Sequence, residues 1–191
     1  MTSTNAPTMS AYDAICARRT AHSYTSTPVP SDAIQRAFDA ANHAPCHRRT
    51  FPWRFVHVGP NARQAIGELA VQIKAEAHPI TEEEAHKVRN KIRTPAELIV
   101  ALQLRCPDSF QAKEDYAACA CAIQNFFISL AGEGIHSKWS TGGITRDPRT
   151  YALLNIDPTA LESIGFLWVG HAETIPQIKR LPTEQVVHHV S

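Results

Sequence analysis

The sequence predicts an α+β domain, on three observations. Trp53–Val58, Glu97–Leu104 and Ser163–Gly170 are apolar runs of strand length, punctuated by glycine and proline. The segments around them show helical spacing, without the strict strand–helix alternation of a parallel sheet. Between Tyr116 and Ala131, only Gln124, Asn125 and Ser129 interrupt a run of small and apolar residues. A helix apolar on all sides is one that other elements surround. Its 16 residues fall short of the about 20 that cross a bilayer, so burial within a globular domain is expected.

In chain order, Ser10 with Asp13 three residues on opens a short helix through Arg18. Its Tyr12, Ile15 and Cys16 share a face. A second helix begins after Pro30-Ser31, carries Ile34, Ala37, Phe38 and Ala41 at helical spacing, and stops before Pro45. A polar loop from His43 to Thr50 leads into the first strand. Asn61 is expected to cap a third helix with Ile66, Leu69 and Ile73 on its apolar face. Thr81–Glu84 has capping-box form and starts a polar helix with acids first and bases last, which suits the helix dipole. Pro95 breaks it before the second strand. Gly132 and Gly134 end the apolar helix, and Trp139-Ser140-Thr141-Gly142-Gly143 reads as a turn. Asp147-Pro148 opens another short helix, and the third strand follows. The tail ends in Glu184–Val190, whose three valines favour a strand.

Composition narrows the function classes. At 191 residues one domain is expected over 9–191, with a flexible segment at 1–8. A formal charge of +1 gives no reason to expect nucleic acid or a membrane surface as partner. The start lacks the apolar run of a signal peptide, and five cysteines without framework spacing fit a reducing cytoplasm.

Three groups of residues could carry a site. Arg18-Arg19-Thr20 place two guanidiniums and a hydroxyl at a helix exit, where they match phosphate oxygens or, equally, complement the helix dipole. His43-Ala-Pro-Cys46-His47 has ligand-type residues for a metal, but Pro45 spoils the helix that would align them and no further cluster follows. His and Arg side chains in a loop beside an aromatic strand could equally hydrogen-bond an aromatic heterocycle. In the Trp139–Gly143 turn, a flat aromatic, two hydroxyls and two glycines allow backbone N–H groups close to a ligand. With no Walker loop, Rossmann fingerprint or nucleophile elbow, any chemistry falls to a cofactor.

Together these pieces resemble the nitroreductase family of FMN-dependent oxidoreductases, from about Tyr12 to His189. The resemblance rests on Arg18-Arg19-Thr20, on Ala44-Pro45-Cys46-His47 through Pro52-Trp53-Arg54-Phe55, on Ala131–Trp139, on Gly165–Gly170 and on Arg180-Leu181-Pro182, in that order. Length points to the compact branch. The resemblance implies a nitroreductase-like central mixed β-sheet flanked by helices, in an intertwined homodimer with C-terminal strand exchange. It implies FMN, with NAD(P)H as electron donor and a small-molecule electron acceptor such as a nitroaromatic or quinone, reduced by a ping-pong mechanism. Arg18, Arg19, Thr20 and Arg180 would hold the phosphate and ribityl chain. Trp139, Ser140 and Thr141 would line one side of the ring, with His43 and His47 reaching it from the neighbouring subunit. No catalytic residue and no metal ligand is implied. Three departures stand out: Arg49 and Phe51 replace the Asn and Gln often found before Pro-Trp, and His22 stands where larger members place a Lys near the ring. Different chemistry on the same flavin (dehalogenation, oxidation, flavin breakdown) and a flavoprotein without useful turnover stay open as alternatives.

Overall fold

The structure, a computed structural model, describes residues 9–190, so the expected flexible segment 1–8 lies outside it. Strand β2 (Glu97–Leu104) forms at the bounds the sequence predicts and runs through the centre of a four-stranded sheet. Its neighbours are β1 (Trp53–His57) and β4 (Leu161–Gly170), and β3 (His136–Ser140) adds outside β4, giving the order β1-β2-β4-β3. Side chains alternate along β2. Ile99 and Ala101 enter one apolar layer and Leu98, Val100 and Leu102 the other. Burial on both faces is why the strand reads as an unbroken apolar run.

The first layer is completed by α2 (Ser31–Asn42) and α5 (Ser109–Gly132), the second by α3 (Pro60–Ala77), α4 (Glu82–Arg93) and α6 (Pro148–Leu153). Gly59 caps α3 with Pro60 in its first turn, in place of the expected Asn61 cap. The capping box Thr81–Glu84 forms as expected. At the far end of α4 the Arg63 guanidinium gathers the carbonyls of Ile92 (2.8 Å), Ala96 (2.9 Å), Arg93 (3.0 Å) and Pro95, satisfying acceptors that a helix end leaves open.

The ladders correct the expectation of a mixed sheet, because all three are antiparallel. Two helices, α3 and α4, join β1 to β2 and return the chain to the end it left, so β2 runs back along β1. Only α5 joins β2 to β3, which sets those two parallel, but β4 lies between them. The parallel pairing that remains is an isolated bridge, Thr20 with Ser137.

Helix α5 is longer than its apolar stretch. Asp108 caps it by accepting the Gln111 N–H at 2.8 Å. Ala118, Cys119, Ala122, Ile123, Phe126 and Leu130 are buried, whereas Tyr116, Ala117, Cys121 and Gln124 stay exposed. Among the described residues, then, the helix is covered on one side only. The tail likewise forms no strand over 184–190 and carries one 3-10 turn at Thr183–Gln185, with Leu181, Val186 and Val190 exposed. No helix among the described residues is long and apolar enough to cross a membrane.

Candidate functional site

Helix α1 (Ala11–Ala17) is capped by Ser10, which accepts the Asp13 N–H at 3.1 Å, and it delivers Arg18 at its C-terminal end. Arg19 folds back, donating to the carbonyls of Cys16 and, at 2.9 Å, of Arg18 itself. Thr20 then pairs with Ser137 of β3, and the Ala21 N–H reaches the Ser137 carbonyl at 3.1 Å. Arg180 returns from the tail into the neighbourhood of Arg18. Partial burial pushes the Arg18 guanidinium below its ordinary pKa, and the positive charges of Arg180 and Arg19 add to the effect. Among the described residues, none of these three guanidiniums forms an ion pair. Three unpaired cations held together are an anion site in waiting.

The floor beside this group is β3. Ser137 is 1% exposed and its Oγ has no hydrogen-bond partner among the described residues. Two residues on and on the same face, Trp139 donates its indole N–H to the Ile164 carbonyl at 2.9 Å. That carbonyl is turned out by an irregularity in the β2–β4 register, where Gly165 adopts φ 149°. Only glycine serves there: a Cβ would sit 2.2 Å from the Trp139 Nε1. The Trp139 ring faces Tyr116 of α5 at 6.4 Å. The expected turn over 139–143 is thus half strand. Ser140 ends β3, Thr141 and Gly142 follow as an exposed loop, and Gly143 starts a 3-10 turn (Gly143–Arg146), with open space above both glycines. Unpaired cations, an unmet buried hydroxyl and a flat aromatic fit a phosphate-bearing ligand with a ring system.

His43 and His47 lie elsewhere, on the loop between α2 and β1. His43 caps α2 and is exposed, while His47 Nδ1 meets Glu114 Oε1 of α5 at 2.9 Å. Thr50 donates to the buried Asp115 at 2.6 Å. Burial raises the Cys46 thiol, but hydrogen bonds to Thr50 and from the Phe51 N–H outweigh it and hold the pKa below its ordinary value. Beneath it, burial pushes Cys119 up to about 12. No hydrogen bond or ion pair among the described residues joins this loop to the Arg18 group. No cluster of three or more His, Cys, Asp or Glu side chains there is placed to hold a metal. A cleft of ≈ 640 Å³ beside α3 and α4, lined by His57, Arg63, Arg93 and Glu97, has these side chains engaged already, His57 with Glu97 at 2.7 Å, Arg93 with Glu68 of α3 at 3.2 Å and Arg63 with backbone carbonyls.

Sequence reasoning missed Ser137, Thr50, Glu114 and Asp115. The adjacent acids of α5 were visible, but their partners lie 67 and 65 residues away.

The comparisons with known proteins agree with this architecture. A family model described as "Nitroreductase family" matches residues 15–171. The Bacillus subtilis (strain 168) protein named "Putative NAD(P)H nitroreductase YfhC" is 28% identical over 171 residues, 88% of this chain and 87% of that protein. The crystal structure of a nitroreductase-like family protein from Bacillus cereus superposes with a TM-score of 0.80 at 23% identity, covering 100% of this chain and 98% of the other. A structure from Desulfovibrio desulfuricans, described as a "putative nitroreductase in complex with fmn", has a TM-score of 0.73 at 19% identity, covering 96% of this chain and 98% of the other. With the family model spanning most of its length, the chain belongs to the nitroreductase family.

Proposed function

We propose that this chain is an FMN-dependent NAD(P)H oxidoreductase that reduces an electrophilic acceptor such as a nitroaromatic or a quinone. The observation that carries the reading is the unbalanced group of Arg18, Arg19 and Arg180 beside the unmet hydroxyl of Ser137. Guanidinium forks match phosphate oxygens, and a hydroxylated chain can meet a buried serine. The relative from Desulfovibrio desulfuricans binds FMN, and the name of YfhC includes NAD(P)H, which supports carrying both to this chain. Arg18 and Arg180 hold the phosphate. Arg19, already tied to backbone carbonyls, adds charge and fixes the helix exit, while Thr20 meets the ribityl chain. Trp139, Ser140 and Thr141 line one side of the ring, and His43 and His47 approach it from the neighbouring subunit. When bound, the flavin supplies the hydride chemistry, and the protein orients the ring and shields it from water.

The working unit in this proposal is a homodimer with exchanged tails, in the cytoplasm. Tyr12, Ile15, Tyr116 and the tail residues Ile175, Leu181, Val186 and Val190 are exposed apolar groups that one chain leaves uncovered. A lone strand is not stable in water, so 184–190 gains its pairing from a partner's sheet edge. Five free cysteines suit a reducing compartment.

The test is the visible spectrum of the purified protein, followed by initial rates with NAD(P)H and a quinone. Flavin bands and parallel double-reciprocal lines are expected, since one site would serve donor and acceptor in turn. Protein that takes up no flavin would remove the cofactor reading, and converging lines with a demonstrated ternary complex would remove the ping-pong order.

A further inference from the structure

Two consecutive carboxylates of α5 grip the loop before β1. Glu114 Oε1 holds His47 Nδ1 at 2.9 Å, and Glu114 Oε2, buried and without a hydrogen bond among the described residues, lies 3.6 Å from Arg48 Nε. Asp115 accepts the Thr50 hydroxyl at 2.6 Å. Cys46 Sγ lies 3.2 Å from Thr50 Oγ1 and accepts the Phe51 N–H at 3.4 Å. Within this clasp Arg49 and Phe51 sit at φ 54° and 44°, in the left-handed region that bulky residues avoid. Backbone of this kind persists only where its surroundings over-determine it, which is the mark of a pre-set geometry. One group in the clasp is left facing outward. With Nδ1 bound to a carboxylate, the proton on that nitrogen is fixed, and the Nε2 edge of His47, whose side chain is 72% exposed, is free to exchange one.

We propose that His47 is the proton donor for reduction of the acceptor and that Glu114 is the residue that positions it. The inference rests on the proposed function above. An acceptor such as a quinone takes a hydride from the reduced cofactor and needs one proton on its oxygen. The Nε2–H bond of the His47 imidazolium breaks, its electron pair stays on nitrogen, and an O–H bond forms on the acceptor. Neutral His47 keeps its Nδ1 proton on Glu114 and regains the other from water. Glu114 fixes the orientation of the ring and keeps the donating edge turned outward, as a carboxylate behind an imidazole does elsewhere.

The experiment compares wild-type holoprotein with His47→Gln and Glu114→Gln. Each is reduced and then reoxidised in stopped flow by p-benzoquinone, which needs protons, or by ferricyanide, which takes electrons alone. General acid catalysis contributes about 10²–10⁴-fold, so His47→Gln should slow the quinone reaction about 100-fold. Glu114→Gln should slow it about tenfold, taking a positioning residue as the weaker contributor. The ratio of quinone to ferricyanide rates within each variant carries the test, because ferricyanide needs no proton; in Glu114→Gln, reoxidation by ferricyanide and flavin content should stay within about twofold. In ¹⁵N NMR the neutral His47 ring should move from the Nδ1–H towards the Nε2–H tautomer in Glu114→Gln. Equal slowing of both oxidants, an unslowed quinone reaction, an unchanged tautomer or loss of flavin from Glu114→Gln would each overturn the proposal. Wild-type protein without flavin would instead defeat the proposed function, and this inference with it.

Discussion

The Arg18–Thr20 exit and the His43–Pro52 loop are both polar, yet they are built in opposite ways. At the exit, three cations come together without a carboxylate among the described residues, and Ser137 buries a hydroxyl with no partner among them. In the loop, Glu114 serves His47 and Arg48, and Asp115 serves Thr50. An open set of charges is completed by something from outside the chain, whereas a closed set holds its own geometry. The first region should therefore respond to mutation through ligand affinity, and the second through stability and the placing of His47.

The largest effect tests whether the open region is completed by a second chain as well as by a ligand. Deleting the residues after Arg180 keeps the guanidinium group intact and removes Leu181, Val186 and Val190, which one chain leaves exposed. Sedimentation of the truncated protein should show monomer, and its flavin should be lost on gel filtration. A truncated protein that stays dimeric and fully yellow would show that the tail is not exchanged.

Next in size is Arg18→Ala. A charge-assisted hydrogen bond contributes about 1.5–3 kcal/mol, so FMN affinity by fluorescence titration should fall about tenfold to a hundredfold. The apoprotein should be no less stable, because the substitution relieves repulsion from Arg180 and Arg19. Unchanged affinity would remove Arg18 from the site.

Thr50→Val should show the converse pattern. It strips the buried Asp115 carboxylate of the donor at 2.6 Å and loosens the clasp on Cys46. An orphaned buried acceptor costs about 1–3 kcal/mol, several degrees of melting temperature for a chain of this size. If the FMN phosphate affinity fell with stability intact, the two regions would not be separable as argued.

How much of this was legible in the sequence follows the same division between local and distant causes. Strand β2 was readable to the residue because burial on both faces leaves a continuous apolar run between prolines. The Thr81–Glu84 capping box was readable because both of its bonds close within three residues. Strand β3 was not. His136–Ser140 is short and half polar, and what holds it is pairing with β4 and the Trp139–Ile164 bond, which depends on Gly165 far along the chain. A faint signal existed, since Ser137 and Trp139 alternate with His136 and Lys138 at strand period. The end of the first helix near Arg18 was readable, but Arg19's turn back onto Cys16 and Arg18 is a local backbone bond that composition does not announce. The two loop departures, Arg49 and Phe51, prove to be the loop's two left-handed residues. Asn tolerates that conformation better than Arg does, so the bulky side chain at position 49 makes that backbone costly.

The smallest effect separates the two regions most finely, because it should change sign with the ligand. Ser137 lies beside Thr20 in the bridge between the helix exit and β3, almost wholly buried, with its hydroxyl unmet. In apoprotein that hydroxyl is a buried polar group without compensation, so Ser137→Ala should leave the melting temperature unchanged or raise it. If the bound ligand supplies the missing partner, the same substitution removes a hydrogen bond from the complex. A neutral hydrogen bond contributes about 0.5–1.5 kcal/mol, which weakens FMN binding about twofold to tenfold. Calorimetric melts of apo and FMN-loaded protein would measure both ends. The gain in melting temperature on adding FMN should be smaller in Ser137→Ala than in wild type, while the apoprotein is at least as stable. A variant destabilised equally with and without FMN would mean that Ser137 is satisfied within the chain and belongs, like Thr50, to the closed kind of site.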